Sequence, residues 1–215
     1  MIQNDLIFVE KLLKNGIITS PLLELGSGYG GETCRDLILE NKVQYFGTDM
    51  QSGVGVDFVA NFEDSPEKVK SVFTSIGEFS TILVLNVLEH TFDPIKVLDN
   101  VLELLKPGGI CVIITPTLWP LHNYPYDCYR INPNFYEEYC RRRNLQLLTD
   151  YFEYIGFGKI KDLTDSQNNY QYPLPYALKS KNSILMSKFV HKLFNTYGRS
   201  MFFPSHVAVG CVIQK

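Results

Sequence analysis

A carboxylate followed by closely spaced glycines is the part of the chain best suited to bind a small molecule. Residues 22–31 read LLELGSGYGG, with Glu24 two residues before Gly26, and with Gly28 and Gly30 at the next alternate positions. Glycines permit positive φ and let the backbone approach a ligand closely. The spacing of Gly26, Gly28 and Gly31 satisfies G-x-G-x-x-G, a pattern that dinucleotide-binding folds also carry. The segment therefore predicts a strand that turns into a helix around a ligand.

Glu24 argues against a ligand that contains a pyrophosphate. A carboxylate at the carboxyl end of the first strand repels phosphate and attracts a cationic amino-acid group. S-adenosylmethionine (SAM) has an ammonium, a sulfonium and no phosphate, so it suits this position. Because the glycine pattern is degenerate, this stretch by itself leaves both SAM and a dinucleotide open.

A second acid follows the next predicted strand. Asp49 lies at the end of the strand 43–47, about twenty residues past the glycines, where an acid accepts hydrogen bonds from both ribose hydroxyls of an adenosine. NAD and SAM share this feature. The alternative is an aspartate that only caps a turn or helix. Met50, the next residue, would offer an apolar face to the adenine.

The most specific motif runs from the fourth predicted strand to the fifth. It consists of an apolar strand over 81–85, NVLEHTFDP, a helix over 95–105, LKPGG and a strand over 110–115. Together with Glu24 and its glycines, this order closely resembles the type 11 methyltransferase domain of the class I SAM-dependent methyltransferases. The resemblance implies SAM as cofactor and S-adenosylhomocysteine as product, and we expect no metal.

The same resemblance implies which residues contact the cofactor. Asn61 and Phe62 end the third predicted strand, 54–62, where a polar side chain and a backbone N–H meet the adenine in that family. The full set of cofactor-binding residues expected is Glu24, Gly26, Ser27, Gly28, Gly30, Asp49, Met50, Asn61, Phe62 and Asn86.

A long loop after the fifth strand contains the candidate acid–base residues. Residues 115–134 hold four prolines, and connections of this length in compact domains are usually functional. His122 is expected over the transferable methyl group, where a neutral imidazole can take a hydroxyl proton. His90 is either a hydrogen-bonded support or a second catalytic group. Asp127 either acts beside the histidines or pairs with Arg130 to hold the loop.

The predicted elements form one α/β domain over 1–215, a Rossmann-like sheet of seven mostly parallel strands with an antiparallel last strand and helices on both faces. Strands are also expected at 22–25, 145–154 and 207–213, and helices at 4–14, 33–39 and 133–143. Insertions at about 116–134 and 156–204 are expected to cover the acceptor, and for the second of them a dimer contact is the alternative.

Composition excludes several classes of protein. A net charge of −3 gives no basic footprint for nucleic acid. Five cysteines without a C-x-x-C pair favour a reducing cytoplasm and no structural zinc. No run of residues approaches membrane-spanning length. We therefore expect a cytoplasmic protein, either a monomer or a homodimer.

The predicted activity is methyl transfer to a small molecule, with oxygen as the favoured acceptor atom. The stretch H-N-Y-P-x-D-x-Y-R resembles a variant of type 11-like enzymes associated with sugar or surface-polysaccharide pathways. Two alternatives stay open. One is an N-methyltransferase or a phosphate-type O-methyltransferase, which needs no general base. The other is a SAM-binding regulatory protein without catalysis.

Overall fold

Helices and strands alternate along most of the chain. The computed structural model describes residues 3–28, 33–119, 121–122, 126–156, 159–162 and 207–215. In these ranges the helices are α1 (Gln3–Lys14), α2 (Arg35–Glu40), α3 (Pro66–Val72), α4 (Pro94–Leu104) and α5 (Pro133–Arg143). The strands are β1 (Leu22–Leu25), β2 (Tyr45–Asp49), β3 (Phe58–Val59), β4 (Phe79–Leu85), β5 (Leu105–Leu118), β6 (Gln146–Leu147), β7 (Glu153–Gly156), β8 (Lys159–Asp162) and β9 (Val207–Gln214).

All these strands belong to one sheet, in the order β3-β2-β1-β4-β5-β9-β7-β8, with β6 also beside β9. Strands β1 to β5 run parallel, whereas β9 is antiparallel to both β5 and β7. The predicted Rossmann-like fold, with a mostly parallel sheet and an antiparallel last strand, is confirmed. The described sheet exceeds seven strands because a 3-10 turn at Thr149–Tyr151 divides the predicted strand 145–154, and because β8 extends the edge.

Alternating side chains of the central strands build a core on each face of the sheet. On β4, Ile82 and Val84 join one core, and Leu83 and Leu85 join the other. Helices α3, α4 and α5 cover the first core, and α1 and α2 cover the second. Parallel strands buried on both faces need continuous apolar runs, which explains the sequence of β4. The expected helices on both faces are confirmed.

The third strand is much shorter than the predicted 54–62. Val54 is 93% exposed and Gly55 has a φ of 86°, so this part of the chain turns at the surface before β3 begins. Helix α3 was not predicted, although its start follows a known pattern. The Ser65 hydroxyl accepts a hydrogen bond from the Lys68 N–H at 3.4 Å, and Pro66 occupies the first helical turn.

Two predictions fall largely outside the part of the chain that the structure describes. Gly30 is one, and most of the 156–204 insertion is the other. Both stay predictions. Among the described residues, no helix combines the length and the apolar character needed to cross a bilayer.

Candidate active site

The predicted site residues converge on one edge of the sheet, where parallel strands end. Strand pairing places Leu25 of β1 next to Thr48 of β2 and Val84 of β4. Leu85 of β4 likewise lies beside Ile114 of β5. Open α/β sheets bind ligands outside these carboxyl ends. The fold therefore brings the glycine turn, the loop after β2 and the loop after β4 to a common edge.

The glycine turn is held close to β2 and leaves no space for side chains. Gly26 has a φ of 75°, and its N–H donates to the Thr48 carbonyl at 2.8 Å. A Cβ at Gly28 would lie 2.6 Å from Cγ2 of Val56. The side chain of Ser27 is buried, and its hydroxyl donates to the Gly55 carbonyl at 3.0 Å. Ser27 thus supports the turn, and the backbone remains to face a ligand.

Asp49 lies beside this turn, as the predicted ribose contact requires. Its Oδ2 accepts a hydrogen bond from the Gly28 N–H at 3.2 Å, and its Oδ1 accepts one from the Gln51 N–H at 3.2 Å. Met50 follows with 51% of its surface exposed. The carboxylate is half-buried between the two loops, so a ribose contact at Asp49 stays a prediction that the geometry permits.

Glu24 is buried inside the fold, with only 2% of its surface exposed. Its Oε2 accepts hydrogen bonds from the Tyr45 hydroxyl at 2.7 Å and from the Cys34 N–H at 3.0 Å. Burial raises the pKa of this carboxyl to about 7, against the opposing effect of both hydrogen bonds. Glu24 therefore ties β1 to the start of α2. Its contact with a ligand ammonium stays a prediction.

Asn61 and Phe62 differ in what they can offer a ligand. Asn61 is exposed, and its Oδ1 accepts a hydrogen bond from the Glu63 N–H at 2.9 Å. Phe62 is buried, with its ring 6.1 Å from that of Phe73, and its carbonyl accepts from Asn100 Nδ2 at 2.7 Å. The side chain of Phe62 is thus part of the core, which leaves its backbone for the predicted adenine contact.

Asn86 adopts a left-handed conformation at the end of β4, with a φ of 54°. Its N–H donates to the Ile114 carbonyl at 2.8 Å, and its side-chain amide donates to Oδ2 of Asp5 at 2.8 Å. Asparagine adopts this conformation more readily than most other non-glycine residues, so Asn86 suits the sharp turn that follows β4. Sequence reasoning missed Asp5, although an acid within the apolar face of α1 was a signal.

The three predicted catalytic residues lie together. Nδ1 of His122 is 3.0 Å from Oδ2 of Asp127, and the His122 ring is 4.9 Å from the His90 ring at an angle of 83°. Nδ1 of His90 lies 2.5 Å from the Tyr126 carbonyl oxygen. Arg130 binds both oxygens of Asp127, which confirms the predicted pair and holds the pKa of Asp127 well below its usual range.

Glu89 extends this cluster into the interior of the protein. Its side chain is 1% exposed, and neither carboxylate oxygen has a hydrogen-bond partner on any other described residue. Oε1 of Glu89 is 3.7 Å from Nε2 of His90. Burial raises the pKa of Glu89 to about 8 and lowers the pKa of His90. One ligand atom each from Glu89, His90 and His122 lies within 4.8 Å of the other two.

Comparison with solved structures shows the fold. A SAM-dependent methyltransferase from Archaeoglobus fulgidus aligns with 99% of this chain and 95% of its own, with a TM-score of 0.55 and 15% identity. The CurJ carbon methyltransferase aligns with 97% of this chain and 53% of its own, with a TM-score of 0.55 and 17% identity.

Sequence comparison is more specific. Ubiquinone biosynthesis O-methyltransferases from Psychrobacter cryohalolentis and Psychrobacter arcticus are each 40% identical over 42 residues, which span 20% of this chain and 16% of theirs. The chain thus matches only a short part of these curated relatives. A family model described as a methyltransferase domain matches residues 8–162, more than half of the chain. The chain therefore belongs to this methyltransferase domain family, with the class I fold of SAM-dependent enzymes.

Proposed function

We propose that this protein transfers a methyl group from SAM to a hydroxyl oxygen of a small molecule. The observation that carries the proposal is the His122–Asp127 pair, 3.0 Å apart, on the loop that follows β5. That loop leaves the sheet at the same edge as the glycine turn and Asp49. A base candidate and a cofactor-binding turn thus belong to one site.

The residues present at this edge fit SAM. Gly28 leaves room for backbone alone, and the Asp49 carboxylate beside it suits a ribose. We infer that Asn61 and the backbone of Phe62 hold the adenine, and that Glu24 favours a cationic ligand over a pyrophosphate. Bound SAM would supply the methyl carbon, and the electron pair of the broken carbon–sulfur bond would stay on sulfur as the acceptor oxygen formed the new bond.

Asp127 prepares His122 to act as a base. The carboxylate accepts a hydrogen bond from the protonated Nδ1 of His122. Nε2 then carries the lone pair that can take the acceptor's hydroxyl proton. Arg130 keeps Asp127 ionised, and an ionised Asp127 stabilises the imidazolium that forms. General-base catalysis of this kind contributes a factor of about 10² to 10⁴. Orientation of the two substrates contributes about 7–11 kcal/mol, so positioning remains the larger effect.

Other features support the finer parts of the proposal. The short match to O-methyltransferases favours an oxygen acceptor. The H-N-Y-P-x-D-x-Y-R segment favours a sugar or surface-polysaccharide acceptor. None of the five cysteines forms a disulfide, which favours the cytoplasm. We expect a monomer or homodimer with no nucleic-acid partner.

Two measurements test the proposal. Calorimetry should show binding of SAM and S-adenosylhomocysteine and no binding of NAD, and the protein should release S-adenosylhomocysteine when SAM and an acceptor alcohol are supplied. NAD binding without SAM binding would refute the cofactor. SAM binding with no product from any acceptor would favour the regulatory alternative. Turnover of amines alone would favour N-methylation.

Replacing His122 in protein treated with a chelator tests its role as the base. His122→Ala should lower kcat by about 10² to 10⁴ and leave SAM affinity unchanged, because the imidazole contacts the acceptor and not the cofactor. Tyr129→Phe is the control. It removes the 2.8 Å hydrogen bond from the Tyr129 hydroxyl to the Phe92 carbonyl, another contact of the same loop, and should keep kcat near that of the natural protein. Normal turnover by His122→Ala would exclude this residue as the base.

A further inference from the structure

We propose that Glu89, His90 and His122 bind a divalent first-row transition-metal ion at the carboxyl edge of the sheet. One ligand atom of each residue lies within 4.8 Å of the other two. Ligand atoms that share a tetrahedral ion at about 2.1 Å are about 3.4 Å apart, so the side chains have to close by up to about 1.4 Å when an ion enters.

The state of Glu89 is the first argument for an ion. A buried carboxylate is normally paired or hydrogen-bonded, and a buried polar group without a partner calls for an explanation such as an ion. Both oxygens of Glu89 are buried without a hydrogen-bond partner on any other described residue. Arg130, the nearby cation, already binds both oxygens of Asp127. A bound cation would supply the missing partner of Glu89.

The orientation of the two imidazoles is the second argument. The Tyr126 carbonyl and the Asp127 carboxylate can only accept hydrogen bonds, so the Nδ1 atoms of His90 and His122 that face them carry the protons. Nε2 of each ring is then the lone-pair atom, and in His90 it faces Glu89. Histidines that bind metals characteristically donate the other N–H to a carbonyl or carboxylate, which fixes the tautomer.

The set of ligands indicates the kind of ion. Two imidazoles and one carboxylate suit Mn²⁺, Fe²⁺, Co²⁺ or Zn²⁺ better than the all-oxygen ions Ca²⁺ and Mg²⁺. Three protein ligands also leave coordination positions open, as in sites that bind a substrate oxygen. Because the cluster lies beside the proposed acceptor site, an acceptor oxygen could occupy one of these open coordination positions.

The consequence for catalysis rests on the proposed function. An ion here would bind the acceptor hydroxyl and lower its pKa, so that the hydroxyl loses its proton to solvent rather than to His122. In the ion-loaded protein His122 is then a ligand, whereas in the metal-free protein it is the base. Ion binding itself does not depend on methyl transfer and can be measured separately.

The test is a titration of the full chain with Mn²⁺ after a chelator has removed any bound metal. The electron paramagnetic resonance signal of free Mn²⁺ measures how much of the ion stays unbound at each step. Thiolates are poor ligands of Mn²⁺, so the five cysteines should not interfere. We expect one bound ion per chain. Glu89→Gln, which keeps the shape of the side chain, should weaken binding at least tenfold, and Asp127→Asn should weaken it about 10- to 100-fold through His122.

Glu24→Gln is the matched control, since it alters another buried carboxyl of raised pKa that lies outside the cluster. It should leave Mn²⁺ affinity unchanged. Circular dichroism checks that each variant folds, and His122→Ala gives a second ligand deletion should Glu89→Gln unfold. The absence of a bound ion, or equal losses in Glu89→Gln and Glu24→Gln, would overturn the metal site.

SAM calorimetry on the same samples separates this inference from the proposed function. Glu89→Gln should retain SAM affinity while it loses Mn²⁺. Mn²⁺ binding without SAM binding would refute the proposed function alone, and SAM binding without Mn²⁺ binding would refute the metal site alone.

Discussion

Replacing Glu24 by glutamine should make the stability of the protein less dependent on pH. The folded protein holds the Glu24 proton up to a pKa of about 7, against an ordinary value of 4.5, because burial disfavours the charged form. Between these values the unfolded chain binds fewer protons, so the free energy of unfolding falls as pH rises. At about 1.4 kcal/mol per pH unit, the loss attributable to Glu24 is about 3 kcal/mol by pH 8.

Urea denaturation at a series of pH values from 5 to 8 measures this effect as the difference in unfolding free energy between the natural protein and Glu24→Gln. Glutamine does not titrate, so only the natural protein loses stability through residue 24 as pH rises. Its unfolding free energy relative to that of Glu24→Gln should therefore fall by most of that 3 kcal/mol over this range. Glu89, whose pKa is also raised, titrates in both proteins and cancels in the difference. Glu24→Gln keeps an oxygen that can accept from Tyr45 or Cys34, so it should still fold.

Glu138→Gln is the control, because Glu138 is an exposed carboxyl whose pKa Arg141 and Arg142 lower to about 2. This pKa lies below the unfolded value, so its stabilising effect is complete above pH 5 and is lost only as pH falls further. The difference between the natural protein and Glu138→Gln should therefore stay constant from pH 5 to 8. If the difference in unfolding free energy between the natural protein and Glu24→Gln is also constant over this range, burial does not raise the pKa of Glu24 and the prediction is wrong.

Two further predictions concern the cofactor side of the site. Asp49→Ala should weaken SAM binding at least tenfold, and more than Asn61→Ala does, because each hydrogen bond to a charged group contributes about 1.5–3 kcal/mol. If calorimetry shows equal or reversed losses of affinity, the ribose does not bind at Asp49. Gly28→Ala should lower Tm and SAM affinity, since its Cβ would lie 2.6 Å from Val56, and overpacking costs about 1–3 kcal/mol. Gly53→Ala, whose nearest contact would be 3.9 Å, should be tolerated.

Local patterns were sufficient to predict most of the elements and their order. The apolar run of β4, the amphipathic spacing of α1 and the proline at the start of α5 each depend on interactions within a few residues. The pairing of Asp127 with Arg130 was predictable for the same reason, since these residues are three positions apart. The third strand was predicted too long because its apolar residues include Val54, which a turn exposes to solvent.

Contacts between distant segments were decided by the tertiary structure. The sequence singled out Glu24, His90 and His122, but not that Tyr45 would bond to Glu24 or that Asp5 would hold Asn86. Such contacts depend on strand register and on the path of the loops, which residue types and spacing along the chain do not specify.

Glu89 shows this difference most clearly. In the sequence it is one acid of the segment NVLEH, beside His90 and far from His122. Only the folding of the loop after β5 over the end of β4 brings these three side chains within 4.8 Å of one another. The sequence by itself was sufficient to predict the methyltransferase fold, which is confirmed, and to propose residues for the cofactor side of the site, because strand ends and glycines carry that information locally. The acceptor side was decided by packing between loops, because its polar groups acquire their environment only when the chain is folded.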